Sequence, residues 1–457
     1  MGRTRTKIGV LSHHDTFVLM VIRKFFVLGY FWHITDFHYD ALYTPLGDKR
    51  KQCRRTNERG TPGHHGGIGR LGDYSCDSSL ELIVSALRYM RTRHSENIEY
   101  VLWTGDIIAS RYDETEDSKY QAIRNITELL SMTFSSHFVF PVLGHTDPAP
   151  SERLTNLWSH WLPLEALQTM KIGGYYTIDQ TQSKLRIVVL NTNLLTDREE
   201  SSVLAQRQWD WLDTVLEKAT ANNEMVFIVG HAGPGYDSRR SILAADANRK
   251  YLRMVRQYAP IIAGQFFSHL HADTFRVIYD EERPVSWVLL APSVSPHHEY
   301  GGSSNPGLRL YKFDTDTGKV LDFTQFYLDL ASANRADSAA EWVAEYNFTQ
   351  YYGLRDVSAE SLHNLAEKFR SNSIQDATYF SRYLRAYNVK FEPTNICDGA
   401  CAHEHYCAIT CLEHAAYRQC VEAAASALAA STNSAAMKML SAPLINAWSI
   451  LILSAKI

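Results

Sequence analysis

The chain has 457 residues, of which 45% are hydrophobic and 21% are charged, and its formal net charge is −4. This composition supplies enough apolar surface for a buried core, so it excludes a collagen, a coiled coil and a largely disordered chain. The charge balance lacks the basic footprint that binding to a nucleic-acid backbone requires, and we expect no nucleic-acid partner. The length is sufficient for one large domain with an appendage.

The first 29 residues resemble a degenerate export signal. Apolar runs at 17–22 and 25–29 would form its hydrophobic core, but Arg23 and Lys24 interrupt it. We therefore assign 1–29 to a leader segment that precedes the folded part of the chain.

Short apolar runs then alternate with amphipathic helical patterns through the first three quarters of the chain. The predicted strands are 31–35, 100–104, 138–143, 185–190, 225–229, 261–267, 285–290 and 307–313, and the predicted helices are 80–90 and 206–219. Strand followed by helix, repeated in this way, predicts an α/β layered core within a catalytic domain at 30–330.

The composition changes after residue 330. Helical patterns rich in Ala, Glu and Tyr follow at 338–346, 358–370 and 377–387, which predict a helical C-terminal subdomain at 331–425. The apolar tail, 426–457, has the general pattern of a glycosylphosphatidylinositol attachment signal, and a plain apolar tail fits it equally well. No run of about 20 uncharged apolar residues occurs, so we expect no membrane-spanning helix.

The seven cysteines and two glycosylation sequons indicate an oxidising compartment. Five of the cysteines lie between 397 and 420, and their CxxxC spacings differ from the paired CxxC units of a zinc ribbon. Disulfides are the better interpretation, with one cysteine left over. The sequons at Asn125 and Asn347 predict N-glycosylation.

Polar side chains with metal-binding chemistry follow five of the predicted strands. They are Asp36 and His38, Asp106, His145, His231, and His269 and His271. Residues two apart on an extended segment point the same way, so each DxH or HxH pair can converge on one point. A lone histidine after a buried strand is usually structural, but a series of five strand ends predicts a metal site. Carboxylates and imidazoles together suit zinc, iron or manganese.

The order of these motifs resembles that of the calcineurin-like metallophosphoesterases, whose pattern is DxH, GD, GNH followed by D or E, GH, and GHxH. Five segments are similar to the acid sphingomyelinase branch, namely Phe31-Trp32-His33-Ile34-Thr35-Asp36-Phe37-His38-Tyr39-Asp40, Trp103-Thr104-Gly105-Asp106, Asn191-Thr192-Asn193, Gln208-Trp209-Asp210-Trp211-Leu212 and Gly264-Gln265-Phe266-Phe267. The length and the terminal cysteine cluster resemble the acid sphingomyelinase-like phosphodiesterases. The resemblance implies a metallophosphoesterase sandwich of two β-sheets flanked by helices, with a helical C-terminal subdomain.

The resemblance also implies a centre of two zinc ions. By motif position, the ligands of the first ion are Asp36, His38, Asp106 and His271, and those of the second are the shared Asp106, His231, His269 and the residue at 145. In the family, a hydroxide between the metals attacks phosphorus, and the histidine of GNH protonates the leaving alkoxide. The disulfides implied are Cys53 with Cys76, Cys397 with Cys401, and Cys407 with Cys420, which leaves Cys411 free.

Three positions near this centre depart from the family pattern. His145 stands where a ligating asparagine is expected, and Thr146 stands where the acid histidine is expected. A threonine hydroxyl is a poor proton donor, and the loss of a general acid typically lowers a rate about 10²–10⁴-fold. His145 could act as the acid, but the second metal would then lose a ligand. Ser110 replaces a histidine that lies near the substrate phosphate in this branch.

Two functions follow from these residues. The first is a secreted or lysosomal zinc phosphodiesterase that hydrolyses phospholipid head groups, as in sphingomyelin, or nucleotides. The alternative is a catalytically weakened relative that binds metal and a phosphate or lipid ligand without efficient turnover. Loops 39–72 and 297–306 would select the substrate, and aromatic loops could contact a membrane surface or belong to the core. The oligomeric state is left open.

Overall fold

The computed structural model describes residues 28–55, 67–94, 97–110, 115–180, 184–197, 199, 202–237, 240–298, 302–335, 340–370, 374–392 and 397–423. The predicted leader, except for its last two residues, and the predicted apolar tail lie outside these ranges.

Strands and helices alternate along most of the chain. The strands are β1 (Leu28–Ile34), β2 (Tyr100–Trp103), β3 (Phe138–Pro141), β4 (Tyr176–Gln180), β5 (Leu185–Val189), β6 (Met225–Ala232), β7 (Tyr236–Asp237), β8 (Arg240–Ser241), β9 (Ile262–Ser268), β10 (Thr274–Asp280), β11 (Arg283–Leu290), β12 (Gly307–Asp314), β13 (Val320–Leu328) and β14 (Trp342–Asn347). The helices are α1 (Leu80–His94), α2 (Glu116–Thr133), α3 (Glu152–Trp158), α4 (Leu164–Gly173), α5 (Val203–Ala221), α6 (Ala245–Tyr258), α7 (Leu330–Arg335), α8 (Phe348–Tyr352), α9 (Ala359–Lys368), α10 (Ile374–Tyr387) and α11 (Gly399–Thr410).

The strands form two mixed six-stranded sheets. The first has the order β14-β13-β12-β1-β2-β3, and the second has the order β10-β11-β9-β6-β5-β4. Strands β1, β2 and β3 are parallel neighbours in the first sheet, and β5, β6 and β9 are parallel neighbours in the second. The carboxyl ends of parallel strands meet at one edge of a sheet, which is where the polar residues named above lie.

Aromatic side chains join the two sheets. Phe31 of β1 lies 5.9 Å from Phe227 of β6 and 5.3 Å from Phe266 of β9, measured between ring centroids. All three side chains are buried. Burial of one such side chain stabilises the fold by about 1.5–3 kcal/mol, so this contact fixes the two sheets face to face. A second apolar cluster packs α5 and α6 onto the second sheet.

The predicted fold class, two sheets flanked by helices with a helical C-terminal region, is confirmed. The eight predicted strands and the two predicted core helices are present within a few residues of their expected bounds. The helices predicted at 358–370 and 377–387 correspond to α9 and α10. The division into domains at residue 330 stays a prediction.

The helix predicted at 338–346 is wrong, because the described part of this segment forms β14, an edge strand paired with β13. Trp342 and Tyr346 are both buried. A spacing of four places two residues on one face of a helix, but an even spacing also places them on one face of a strand. The apolar pattern alone therefore could not separate the two structures.

The three predicted disulfides are present in the described part of the chain. They join Cys53 to Cys76, Cys397 to Cys401, and Cys407 to Cys420, and Cys411 is free. The sequon residue Asn347 is exposed at the end of β14, whereas Asn125 is half-buried on α2. Glycosylation at both stays a prediction. Within the described ranges, no helix combines the length and the apolar character that crossing a bilayer requires.

Candidate metal centre

The seven predicted ligand residues converge at the edge where the strand ends meet. They form two sets, Asp36, His38, Asp106 and His271, and Asp106, His145, His231 and His269. Within each set, the atoms that could bind a metal all lie within 4.8 Å of one another. Asp106 belongs to both sets, so the two sets are adjacent.

All four residues of the first set are buried, and they follow strands of both sheets. His38 Nε2 is 3.5 Å from Asp106 Oδ2 and 3.8 Å from Asp36 Oδ1. His271 Nε2 is 3.3 Å from Asp36 Oδ1 and 3.0 Å from His38 Nε2. Two imidazole nitrogens and two carboxylate oxygens therefore surround one small volume.

The second set lies closer to solvent. Asp106 Oδ2 is 2.7 Å from His145 Nδ1 and 3.1 Å from His231 Nε2. His269 Nδ1 is 3.2 Å from His231 Nε2. The side chain of His145 is 34% exposed, whereas His231 and Asp106 are buried, so this set is the accessible side of the centre.

The backbone at the centre is strained. Five of the seven residues have positive φ angles, namely Asp36 (49°), His38 (44°), Asp106 (51°), His269 (72°) and His271 (56°). Such a conformation costs about 1–3 kcal/mol for each non-glycine residue and persists where surrounding structure imposes it, most often at functional sites. The DxH and HxH pairs are therefore in the left-handed conformation, so the expectation that they converge by the alternation of an extended segment is wrong.

Two glycines allow the loops after β2 and β3 to touch. A Cβ atom on Gly105 would lie 2.5 Å from the backbone nitrogen of Gly144, and one on Gly144 would lie 2.1 Å from Asp106 Oδ1. Both distances are shorter than real Cβ atoms allow, so any other residue would push the loops apart. The glycine of each motif is thus required by the close approach that positions Asp106.

Asp147 joins the same two loops by hydrogen bonds. Its carboxylate accepts from the backbone N–H groups of Asp106 (3.0 Å), Ile107 (2.8 Å) and Gly144 (2.8 Å). Burial, together with the nearby Asp106 charge, raises the pKa of Asp147 to about 7. The sequence motif contains this aspartate, but its role as a clamp between loops follows only from the structure.

Hydrogen bonds outside the two sets orient three of the imidazoles. His231 Nδ1 is 2.7 Å from the carbonyl oxygen of Thr104, and His271 Nδ1 is 2.8 Å from that of His297. A carbonyl can only accept, so Nδ1 carries a proton in both rings, and Nε2 is the ring nitrogen that faces the centre. Ser110 Oγ is 3.1 Å from His38 Nδ1 and has the same position relative to that ring.

The carboxylates and imidazoles shift the pKa values of one another. Burial favours protonated carboxyls, but the neighbouring imidazoles prevail and hold the pKa of Asp36 and of Asp106 below its usual range. Burial lowers the pKa of His38 to about 3. Burial also acts against the charge of His231, yet Asp106 raises the pKa of that ring to about 9. The carboxylates are thus ionised, as metal ligands must be.

The polar groups of the centre fit a cation. Asp36 accepts at Oδ2 from the Thr35 hydroxyl, and Asp106 accepts at Oδ1 from the Thr146 backbone N–H. The other oxygen of each carboxylate, Asp36 Oδ1 and Asp106 Oδ2, is buried, makes no well-oriented hydrogen bond and faces imidazole nitrogens of the two sets. An unsatisfied buried anionic oxygen is costly, and a divalent cation between these oxygens and the imidazole lone pairs would satisfy it.

Thr146 and Ser110 both lie beside the centre. The Thr146 hydroxyl donates to the carbonyl oxygen of Ile108 at 3.0 Å and also lies 3.3 Å from Asp106 Oδ1. The Ser110 hydroxyl contacts His38, and its backbone N–H donates to Asp77 at 2.8 Å. Each hydroxyl thus contacts a residue of the first set.

The carbonyl groups of Thr104 and His297, which orient two of the imidazoles, were not predicted. Every residue has a carbonyl group, and the sequence gives no signal for its direction.

Comparison with known protein families agrees with this fold and with the order of the motifs. The profile of the calcineurin-like phosphoesterases matches residues 29–273, and that of the acid sphingomyelin phosphodiesterase C-terminal region matches residues 283–427. The two-sheet fold and the clustered motif residues thus define a calcineurin-like phosphoesterase, a class that uses a metal centre.

Individual relatives define the family more closely. The chain is 35% identical over 419 residues to the cyclic GMP-AMP phosphodiesterase SMPDL3A of Bos taurus and 33% identical over 422 residues to the human acid sphingomyelinase-like phosphodiesterase 3b; each alignment covers 86% of this chain and 90% of the relative. The chain belongs to the acid sphingomyelinase-like phosphodiesterases, a family of phosphodiester hydrolases. Among solved structures, a dimetal phosphatase from Danio rerio aligns with a TM-score of 0.41 at 16% identity, covering 65% of this chain and 95% of the other.

Proposed function

We propose that this protein is a zinc-dependent phosphodiesterase with two metal ions. Asp36, His38 and His271 would hold the first ion, His145, His231 and His269 would hold the second, and Asp106 would bridge them. The observation that carries this proposal is the pair of ligand sets sharing Asp106, whose buried Oδ2 atom faces His145 and His231 of the second set. Five imidazoles and two carboxylates favour zinc over magnesium or calcium, which prefer oxygen ligands.

The residues of the chain prepare this centre in advance. Bound cations supply positive charge that neutralises a phosphate and activates water for attack on phosphorus. Carbonyls fix the imidazole rings of His231 and His271, and Asp147 clamps the loops that carry Asp106 and His145. Because these contacts are formed within the chain itself, little reorganisation is needed when the ions bind.

The substrate we propose is a phosphodiester of a phospholipid head group or of a nucleotide. The names of the two relatives, a cyclic GMP-AMP phosphodiesterase and an acid sphingomyelinase-like phosphodiesterase, support this range. The Thr146 hydroxyl donates to a backbone carbonyl and does not titrate near neutral pH. We therefore propose that protonation of the leaving group limits turnover of substrates with alkoxide leaving groups.

We also propose that the protein is secreted or lysosomal. Its three disulfides support an oxidising compartment, because reducing conditions in the cytosol rarely allow such bonds to persist. The exposed sequon at Asn347 is consistent with passage through the secretory pathway.

Hydrolysis of bis(4-nitrophenyl) phosphate tests the proposed function. The purified protein should release nitrophenolate, lose this activity after dialysis against a chelator, and regain it when zinc is restored. Circular dichroism before and after dialysis controls for unfolding. Hydrolysis that persists in metal-free protein would contradict the proposal, and so would a fully zinc-loaded protein that releases no nitrophenolate.

Replacing Ser110 with alanine should weaken metal binding without unfolding the protein. The serine hydroxyl orients His38, and the loss of such an outer contact typically lowers metal affinity about 10–100-fold. Competition with a chromogenic chelator measures this affinity directly. Ser131→Ala is the matched control, because its hydroxyl contacts His160 at 2.8 Å, outside both ligand sets. Equal zinc affinities of the two variants would refute the orienting role of Ser110.

A further inference from the structure

A basic loop with exposed leucines leaves the candidate metal centre directly. This segment, residues 40–55, begins two positions after His38 and is called the basic loop below. It contains five basic side chains and only two acidic ones, although the whole chain carries a net charge of −4. The basic residues are Lys49, Arg50, Lys51, Arg54 and Arg55. The positive charge is therefore concentrated locally, and composition alone did not indicate it.

Two leucines of the basic loop face solvent. Leu42 is 48% exposed and Leu46 is 64% exposed. One exposed leucine is ordinary on a protein surface. Two within five residues, followed by Arg50, Lys51 and Arg55, which are also exposed, form a combination that fits the boundary between lipid head groups and acyl chains.

The basic loop is held firmly in this position. The Cys53–Cys76 disulfide joins the end of the loop to the segment before α1, and the Tyr43 hydroxyl donates to the carbonyl oxygen of Gly69 at 2.7 Å. Ion pairs join Lys49 to Asp73 and Arg54 to Asp40, each at 2.7 Å. The leucines are thus presented by an anchored loop, which reduces the ordering that binding would require.

The same anchoring connects the basic loop to the centre. The Tyr39 backbone N–H donates to the carbonyl oxygen of Ile107 at 2.8 Å, one residue beyond Asp106. The Asp40 backbone N–H donates to the carbonyl oxygen of Ser78 at 3.0 Å. The start of the basic loop is therefore tied by backbone hydrogen bonds to the segment that carries Asp106.

We propose that the basic loop docks the protein on an anionic phospholipid bilayer. Leu42 and Leu46 enter the interfacial region, and the exposed basic side chains contact lipid phosphates. Charge complementarity selects an anionic surface, and the leucines select a bilayer over a soluble polyanion, which offers no apolar phase. Resting on the proposed function, this docking favours a membrane lipid as the phosphodiester substrate over a free nucleotide.

Cosedimentation of the full-length chain with lipid vesicles tests this proposal. The native chain should bind phosphatidylserine-containing vesicles and bind pure phosphatidylcholine vesicles much more weakly. Arg50→Gln combined with Lys51→Gln should reduce the partition coefficient about 30-fold, from roughly 1 kcal/mol for each basic residue. Leu42→Ser and Leu46→Ser should each reduce it about tenfold. Leu164→Ser is the control, because Leu164 is 75% exposed but lies on α4.

Three outcomes would overturn the docking proposal: no binding by the native chain, equal binding to both kinds of vesicle, or leucine variants that bind as tightly as the native chain. The last outcome would identify a site for soluble polyanions. All variants should retain the zinc content of the native chain, because none of these residues belongs to the two ligand sets. Vesicle binding is measured without hydrolysis, so failure of docking and failure of the proposed function are distinguishable.

Discussion

A variant with His145→Asn and Thr146→His is expected to hydrolyse an alkyl phosphodiester about 10²–10⁴-fold faster than the native chain. The asparagine oxygen would remain available to the second ion, and the new imidazole would supply the proton that a leaving alkoxide needs. Nitrophenolate needs no proton to leave, so the rate of hydrolysis of the corresponding nitrophenyl phosphodiester should change little. The ratio of the two rates, measured for both proteins, checks this prediction.

Thr146→Ser is the matched control for this experiment. It keeps a hydroxyl beside the Ile108 carbonyl and adds no group that titrates near neutral pH, so both rates should remain near native. An equal increase in the hydrolysis rates of the alkyl and aryl esters would show that the imidazole does not act by protonating the leaving group. No gain on the alkyl ester would mean that position 146 is not the site of the acid.

Replacing Asp106 with asparagine is expected to remove metal from both sites and to abolish most of the activity. Asp106 is shared by the two ligand sets, and its Oδ2 atom faces His145 and His231. Without its negative charge, the zinc content should fall from two equivalents to less than one. Hydrolysis of bis(4-nitrophenyl) phosphate should fall at least about 10³-fold, or roughly 4 kcal/mol of barrier. Metal analysis and initial rates measure the two effects separately.

Asp314→Asn is the matched control for a buried carboxylate. Asp314 is also buried, but it accepts from Asp316 and Thr317 in the turn after β12. This variant should retain two zinc equivalents and the native rate. Retention of two equivalents by the Asp106 variant would contradict the bridging role that we propose.

Much of the fold could be predicted because its central strands are buried on both faces. Strands β2 and β6 are short apolar runs, and both were predicted. Gly105 follows β2 by two residues, and Gly230 lies near the end of β6. Strands nearer the edges were harder to predict. β14 was predicted as a helix, and β13 was not predicted, since polar residues such as Asp322 and Gln325 interrupt its apolar pattern.

One missed helix did carry a usable signal. In α6, the buried residues Ala247, Tyr251, Leu252, Val255 and Tyr258 recur at helical spacing, with basic residues between them. An explicit count of spacings three and four apart would have predicted this helix.

The convergence of the seven candidate residues could be predicted because each motif follows a buried strand of one of the two sheets. Their geometry could not. The positive φ angles of Asp36 and His271 depend on the packing around them, and the carbonyl partners lie 127 residues away in the chain for His231 and 26 residues away for His271. The exposure of Leu42 and Leu46 likewise depends on which surfaces the rest of the fold leaves uncovered.

Diffraction from crystals of the native protein at the zinc absorption edge tests the central claim most directly. We predict two anomalous peaks about 3.5–4 Å apart, one beside Asp36 and His38, the other beside His145 and His269, with Asp106 between them. A zinc-loaded crystal without an anomalous peak among these residues would contradict the claim, and so would a single peak that does not contact Asp106.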